Sequence, residues 1–202
     1  MDAMEKRAPH KEEFRREILD AARDLFVNEG YEHFSMRKLA EKTGCSPRTI
    51  YSYFKDKDDL LFAICEEVAG RFIADLTYIK TAHSDPLESL RQALLYLVEF
   101  GFNYPDEYKV LFITGSHVYG TLDEFMAKES MARNSYFVFR EIVIYCIETG
   151  KLLEIDIDVL TQVLTSATRG LALTLRLTAY PWIDRNVLAH TLVEGLLRSY
   201  RR

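Results

Sequence analysis

The densest group of side chains able to do chemistry lies between Ser35 and Lys57, in the run SMRKLAEKTGCSPRTIYSYFKDK. Arg48 offers a planar fork of donors that matches guanine O6 and N7, a pairing worth about 1–3 kcal/mol of discrimination. Thr49, its neighbour, is the second candidate for a base edge. Ser35, Arg37, Tyr51, Tyr53 and Lys57 supply hydroxyl, guanidinium and ammonium donors of the kind that hold phosphate oxygens and set register. From Arg37 to Lys57 there are six basic and two acidic residues, a net of +4 in a chain whose total is −5. A basic patch on an acidic protein is the footprint of a polyanionic partner. The competing reading is an ordinary helical hairpin with a solvated charged face.

Two short helices with a tight turn between them must position these groups. Met36, Leu39 and Ala40 recur at three-and-four spacing and give the first helix an apolar face. Gly44 stands where that helix has to stop, because glycine accepts the left-handed conformation that closes a helix. Ser46 followed by Pro47 is a start signal: serine caps free amides, and proline at the first helical position loses no needed hydrogen bond. Ile50 and Phe54, four apart, point inward and leave Arg48, Thr49, Tyr51, Ser52 and Tyr53 on the outer faces. Such a pair is a helix-turn-helix, whose second helix presents its N-terminal residues to the major groove.

The stretch from Ile18 to Leu61 resembles the DNA-binding domain of the TetR family of bacterial transcription regulators. The matching residues are Ile18, Leu19, Ala21, Ala22, Leu25 and Phe26, then Gly30-Tyr31, Ser35-Met36-Arg37 with Leu39-Ala40, and Gly44-Cys45-Ser46. Thr49-Ile50-Tyr51, Tyr53-Phe54-Lys55, Lys57 and Leu60-Leu61 complete the set. Tyr53 stands where many members carry histidine; either side chain donates to a phosphate. The resemblance implies an all-α fold, DNA contacts drawn from Ser35, Arg37, Ser46, Pro47, Arg48, Thr49, Tyr51, Tyr53 and Lys57, and pairing of two subunits through the last two helices. It further implies repression relieved by a small ligand as the usual outcome, with no cofactor.

Composition narrows the rest. Of the 202 residues, 48% are apolar and 28% charged, a soluble globular balance long enough to bury a core without disulfides. Cys45, Cys65 and Cys146 are odd in number and widely spaced, which fits a reducing cytoplasm and offers no metal cluster. Met1 to Lys11 is polar and charged, unlike a signal peptide. The most apolar run, from Val159 to Tyr180, is interrupted by Arg169 and Arg176 and reads as a buried helix, not a membrane span. Strand-like alternation is absent, and no Gly-rich phosphate loop, paired-histidine motif or nucleophile elbow is present, which argues against an enzyme.

The expected organisation is a flexible arm over residues 1–10, a three-helix DNA-binding domain over 11–56, and a helical ligand-binding and dimerisation domain over 57–202, about nine helices in all. Helix one runs from about Lys11 to Asn28 with Phe14, Ile18, Ala21, Ala22 and Leu25 as its stripe and Phe26 beside it. Asp56 and Asp59 cap a fourth helix to about Tyr78, long enough to act as a lever between domains. Helices follow over Pro86–Phe102, Asp106–Ile113, Leu122–Glu148 and Ile157–Ala179; Gly115–Gly120 reads as loose, Tyr180-Pro181-Trp182 as a stop, and Asp184 as the cap of the last helix.

Phe102, Tyr104, Tyr108, Phe112, His117, Tyr136, Phe137 and Arg169 form the candidate ligand pocket, because small-molecule sites in helical bundles are apolar and aromatic with a few polar anchors. The same aromatics at helical spacing fit plain core equally. Val163, Ala167, Gly170, Leu171 and Thr174, with Leu188, Leu192, Val193, Leu196 and Leu197 on the next helix, form two stripes suited to an intersubunit four-helix bundle, or to closing the subunit's own core. The function expected is a homodimeric regulator on a palindromic operator in double-stranded DNA, released by a small hydrophobic or aromatic effector. The alternatives are the same fold governed by a protein partner or by no effector, and an all-α lipid-binding protein or enzyme.

Overall fold

A computed structural model describes residues 3–177 and 183–202. Among them the chain is all α: no strand forms, and one isolated bridge joins Leu152 to Arg201. The helices are α1 (Ala3–Glu29), α2 (Met36–Lys42), α3 (Pro47–Tyr51), α4 (Lys57–Ala82), α5 (Pro86–Asn103), α6 (Pro105–Lys109), a π-helical turn (Val110–Thr114), α7 (Ser116–Tyr119), α8 (Leu122–Ala127), α9 (Met131–Glu148), α10 (Ile157–Leu177) and α11 (Arg185–Tyr200). None is long and apolar enough to cross a membrane.

Several boundaries differ from expectation for local reasons. The backbone is helical from Ala3, so most of the expected arm continues α1; Ala3, Met4, Glu5, Lys6 and Arg7 are good helix formers that carry the helix past Pro9. The anticipated single helix over 122–148 is two. Lys128 leaves α8 in an extended conformation, and Ser130 restarts the chain as N-cap of α9 by accepting from the Arg133 amide. The segment read as loose holds α7, and the helix read over 106–113 is α6 followed by the π turn, in which the Gly115 amide reaches back to the Val110 carbonyl at 2.7 Å. The stop at Tyr180-Pro181-Trp182 lies outside the described residues.

The chain divides into two compact units, residues 1–68 with 109–128, and residues 69–108 with 129–202. This is not a single cut near residue 56: the first unit also takes in 109–128. In it, Ile18, Leu19, Ala22 and Phe26 are the buried stripe of α1, with Phe26 at its centre, while Phe14, Ala21 and Leu25 are half-buried. Buried in the same unit are Phe34, Met36, Leu39, Ala40, Ile50 and Phe54, then Leu60, Leu61 and Ile64 from α4.

In the second unit α5 is the central helix, packed on α9, α10 and α11. Leu87, Leu90, Leu94, Leu97 and Val98 are buried, as their spacing demands. Gly101 lets α5 and α10 meet closely, since a Cβ there would lie 3.0 Å from the Ala172 methyl. The Asp85 side chain caps α5 and Asp184 caps α11.

Candidate nucleic-acid interface

The helix-turn-helix is held by its caps. Ser35 Oγ accepts from the Lys38 amide at 3.2 Å, and Ser46 Oγ accepts from the Thr49 amide at 3.1 Å. Between them Gly44, at φ +65°, closes α2: the Cys45 amide donates to the Ala40 carbonyl and the Gly44 amide to the Glu41 carbonyl, both bonds of a Schellman motif. Asp56 Oδ1 accepts from the amides of Asp58 and Asp59 at the head of α4, and Asp59 Oδ2 accepts from the Lys55 amide. The capping expected there is present, shifted by one residue from the usual reciprocal pair.

These caps decide what each candidate contact has left to offer. Arg48 and Pro47 are exposed at the start of α3, and Tyr51 is 54% exposed near its end. Ser46 is spent as a cap, and its hydroxyl shares a 2.8 Å hydrogen bond with that of Thr49. The Thr49 hydroxyl is therefore held in place by the cap residue. Arg37 is exposed, with an ordinary surface pair to Glu41 one turn on. Tyr53 is half-buried, edge-on to Phe14 at 5.6 Å, so α1 sets its ring position.

The charge footprint is narrower than the sequence count. Lys38 pairs with Glu29 and Lys42 with Asp24, both carboxylates belonging to α1. With Arg37 paired to Glu41 as well, the bases of this run that form no ion pair among the described residues are Arg48, Lys55 and Lys57. Lys57 Nζ sits over the Tyr31 ring, 3.8 Å from its centroid. Tyr31 donates its hydroxyl to Asp58, and that bond, helped by desolvation, pushes its pKa up to about 12.

Residues 18–64 match the sequence profile described as "Bacterial regulatory proteins, tetR family". Over these residues the chain resembles a TetR-type domain. The chain is also similar to an HTH-type transcriptional regulator of Staphylococcus aureus (strain bovine RF122 / ET3-1), 35% identical over 88 residues, 44% of this chain and 48% of that protein. The matched part thus spans about half the length of these curated relatives. The fold beyond the TetR-type domain is similar to solved structures. One is a TetR/AcrR-family transcriptional regulator from Thermobifida fusca (22% identity, TM-score 0.67, 94% of this chain and 100% of that one). Another is the transcriptional regulator FadR from Bacillus subtilis, solved in complex with stearoyl-CoA (22% identity, TM-score 0.73, 89% of this chain and 96% of that one).

The pocket candidates do not form one group. Phe112 and His117 belong to the unit that holds the TetR-type domain, where the His117 ring stacks on Tyr31 at 4.2 Å. The other six belong to the second unit. Tyr108 is 2% exposed and donates to the Arg169 carbonyl at 2.9 Å, a core role. Tyr104 is exposed, and Arg185 lies over the Phe102 ring at 4.8 Å. Tyr136 and Phe137 meet edge to face at 5.7 Å, with Tyr136 donating to Asp158. Sequence reasoning missed Arg133, one turn before Phe137. Its guanidinium lies over that ring at 4.7 Å, and its buried Nε has no hydrogen-bond partner among the described residues. An arginine four residues ahead of an aromatic was the available signal.

The dimer candidates separate by face. Val163, Gly170 and Thr174 are exposed, Ala167, Leu171, Leu188, Leu192 and Leu196 half-exposed, while Val193 and Leu197 turn into the unit's own core. Nothing lies within 4 Å of a Cβ placed on Gly170, unlike Gly101.

Proposed function

We propose that this protein is a transcription regulator that binds a palindromic operator as a homodimer and leaves it when a small hydrophobic effector binds. The observation that carries the reading is the start of α3. Ser46 caps it, Pro47 opens it, and Arg48 stands exposed beside a Thr49 hydroxyl of fixed direction, with the charges of Arg37, Lys55 and Lys57 in the same unit. Arg48 and Thr49 read bases; Ser35, Arg37, Tyr51, Tyr53 and Lys57 hold phosphates. Two such helices, one per subunit, meet half-sites about 34–36 Å apart.

The half-exposed apolar stripes of α10 and α11 support pairing with a second copy, and the open surface at Gly170 leaves room for a partner helix. In the second unit the aromatic pair Tyr136–Phe137, with Arg133 beside it, suits an apolar effector carrying one anionic group. That the FadR neighbour was solved with stearoyl-CoA adds support for a fatty acyl thioester as the first compound to try. Residues of α4 begin at Lys57 in one unit and end at Ala82 in the other, so an effector that prefers another tilt of this helix would respace the reading heads. Full release takes about 5 kcal/mol of differential affinity between the two states.

The test is binding of the protein to DNA from upstream of its own coding sequence, titrated in salt, with and without fatty acyl-CoA. Expected are a sequence-specific footprint of two half-sites, a steep loss of affinity with salt, and release by the acyl-CoA. Indifference to DNA at low salt sinks the reading; specific binding untouched by effector leaves DNA recognition standing and removes the ligand.

A further inference from the structure

Resting on the DNA-binding reading, we infer that Tyr31 and His117 are positioning residues for Lys57: a three-layer stack that aims the lysine ammonium at a DNA phosphate from residues that never touch DNA. His117 lies parallel to Tyr31, 4° off and 4.2 Å away, which fills one face of the tyrosine ring. An ammonium 3.8 Å from the same centroid has to occupy the other face. Tyr31 is held at its edge by the hydroxyl bond to Asp58, and Phe26, fully buried, lies parallel to it at 6.4 Å. A ring fixed on three sides is a platform and not a loose contact.

The stack matters because α4 has little else to give an anion. Its leading amides are taken by Asp56, and Asp58 and Asp59 add negative charge in its first turn. The positive charge at that end must come from Lys57. A lysine side chain is flexible, and holding it over an aromatic face before binding removes part of the ordering cost that a phosphate contact would otherwise carry.

His117 is itself placed from within the first unit. It sits on α7, whose Ser116 hydroxyl donates to the Ile113 carbonyl at 2.9 Å, and whose Tyr119 donates to Glu66 at 3.2 Å and meets Phe62 edge-on at 5.8 Å. The segment after the π turn therefore reaches a candidate phosphate contact through one ring.

The experiment measures binding to a mixed-sequence duplex, where phosphates carry the affinity, as a function of salt. Lys57→Ala lowers the slope of log K against log salt by about one unit per subunit, roughly fourfold in affinity across a fourfold salt range. His117→Ala lowers it by a similar amount, the double variant lowers it no further than Lys57→Ala alone, and His117→Phe, which keeps the stack, restores the parent slope. His117 is exposed, so thermal melts of these variants should match the parent. A parent slope in His117→Ala, or additive losses in the double variant, overturns the inference while DNA binding stands. A parent protein with no salt slope overturns the DNA-binding reading beneath it.

Discussion

Gly101 and Ala172 approach so closely that a Cβ on the glycine would lie 3.0 Å from the alanine methyl, with the Tyr108 ring at 3.2 Å on the other side. A methyl group there must push a neighbour back by a few tenths of an ångström. Gly101→Ala gains about 1 kcal/mol of helix propensity but overpacks the contact at a cost of about 1–3 kcal/mol. Urea melts should show a net loss on the order of 1 kcal/mol, and Gly101→Val a larger one. A stabilised Gly101→Ala variant would mean the two helices part easily.

The Ser46 cap can be separated from DNA contact. Ser46→Ala removes the side-chain acceptor of the Thr49 amide, leaving it only the Ser46 carbonyl at 2.9 Å, and should cost about 0.5–2 kcal/mol, together with weaker DNA binding. Ser46→Asp keeps an acceptor at the cap, so stability should hold while its negative charge still weakens binding. Thermal melts and anisotropy titrations on the same three proteins distinguish the two effects.

Arg48→Ala should weaken operator binding by about 1–3 kcal/mol and relax preference at one base position per half-site. Competition among duplexes substituted at single positions reads this directly. A uniform loss at every position would move Arg48 from base edge to phosphate.

Acid should destabilise the second unit through carboxylates tied to cations and amides. The Arg140 hydrogen bond to Asp158 holds that carboxyl below the usual range, despite some desolvation, and the Gln92 bond, with Arg91, does the same for Glu88. Both folded pKa values are depressed. The stabilisation is therefore whole above the ordinary carboxylate pKa of about 4 and fades as pH falls through the lower folded values. Urea midpoints measured downward from neutral pH should drop below about pH 4, and Arg140→Gln should flatten that limb.

Pairing through α10 and α11 predicts that Leu192→Glu, on a half-exposed position, yields a folded monomer with weaker operator affinity. Gly170→Leu should do likewise, since its surroundings within the chain are open. Sedimentation alongside thermal melts gives the answer; two variants that stay dimeric would place the interface elsewhere.

What could be read from the sequence was local chemistry. Ser35, Gly44, Ser46, Asp56 and Asp184 each announce a helix end through their own side chains or lack of one, and each stands where its signal says. The α5 stripe was equally plain, because one face of a helix repeats every three or four residues. Illegible were features made by residues distant in sequence. Nothing near His117 says that its ring will rest on Tyr31, so an aromatic grouped by composition with a ligand pocket turned out to lie in the first unit. Ser130 was overlooked because the good helix formers on either side of it, Met126, Ala127, Lys128 and Glu129 before and Met131, Ala132 and Arg133 after, hid a cap.

The π turn at Val110–Thr114 has a consequence for how this region can change. A π turn holds one residue more than the α-helix it interrupts, and that surplus can be absorbed or released without breaking the chain. Tightening it to α geometry would advance the next segment by about 1.5 Å and rotate it by about 100°, carrying His117 off the Tyr31 ring. A single-residue slip at the bond from Gly115 to Val110 would thus take away the ring that faces Lys57 across Tyr31.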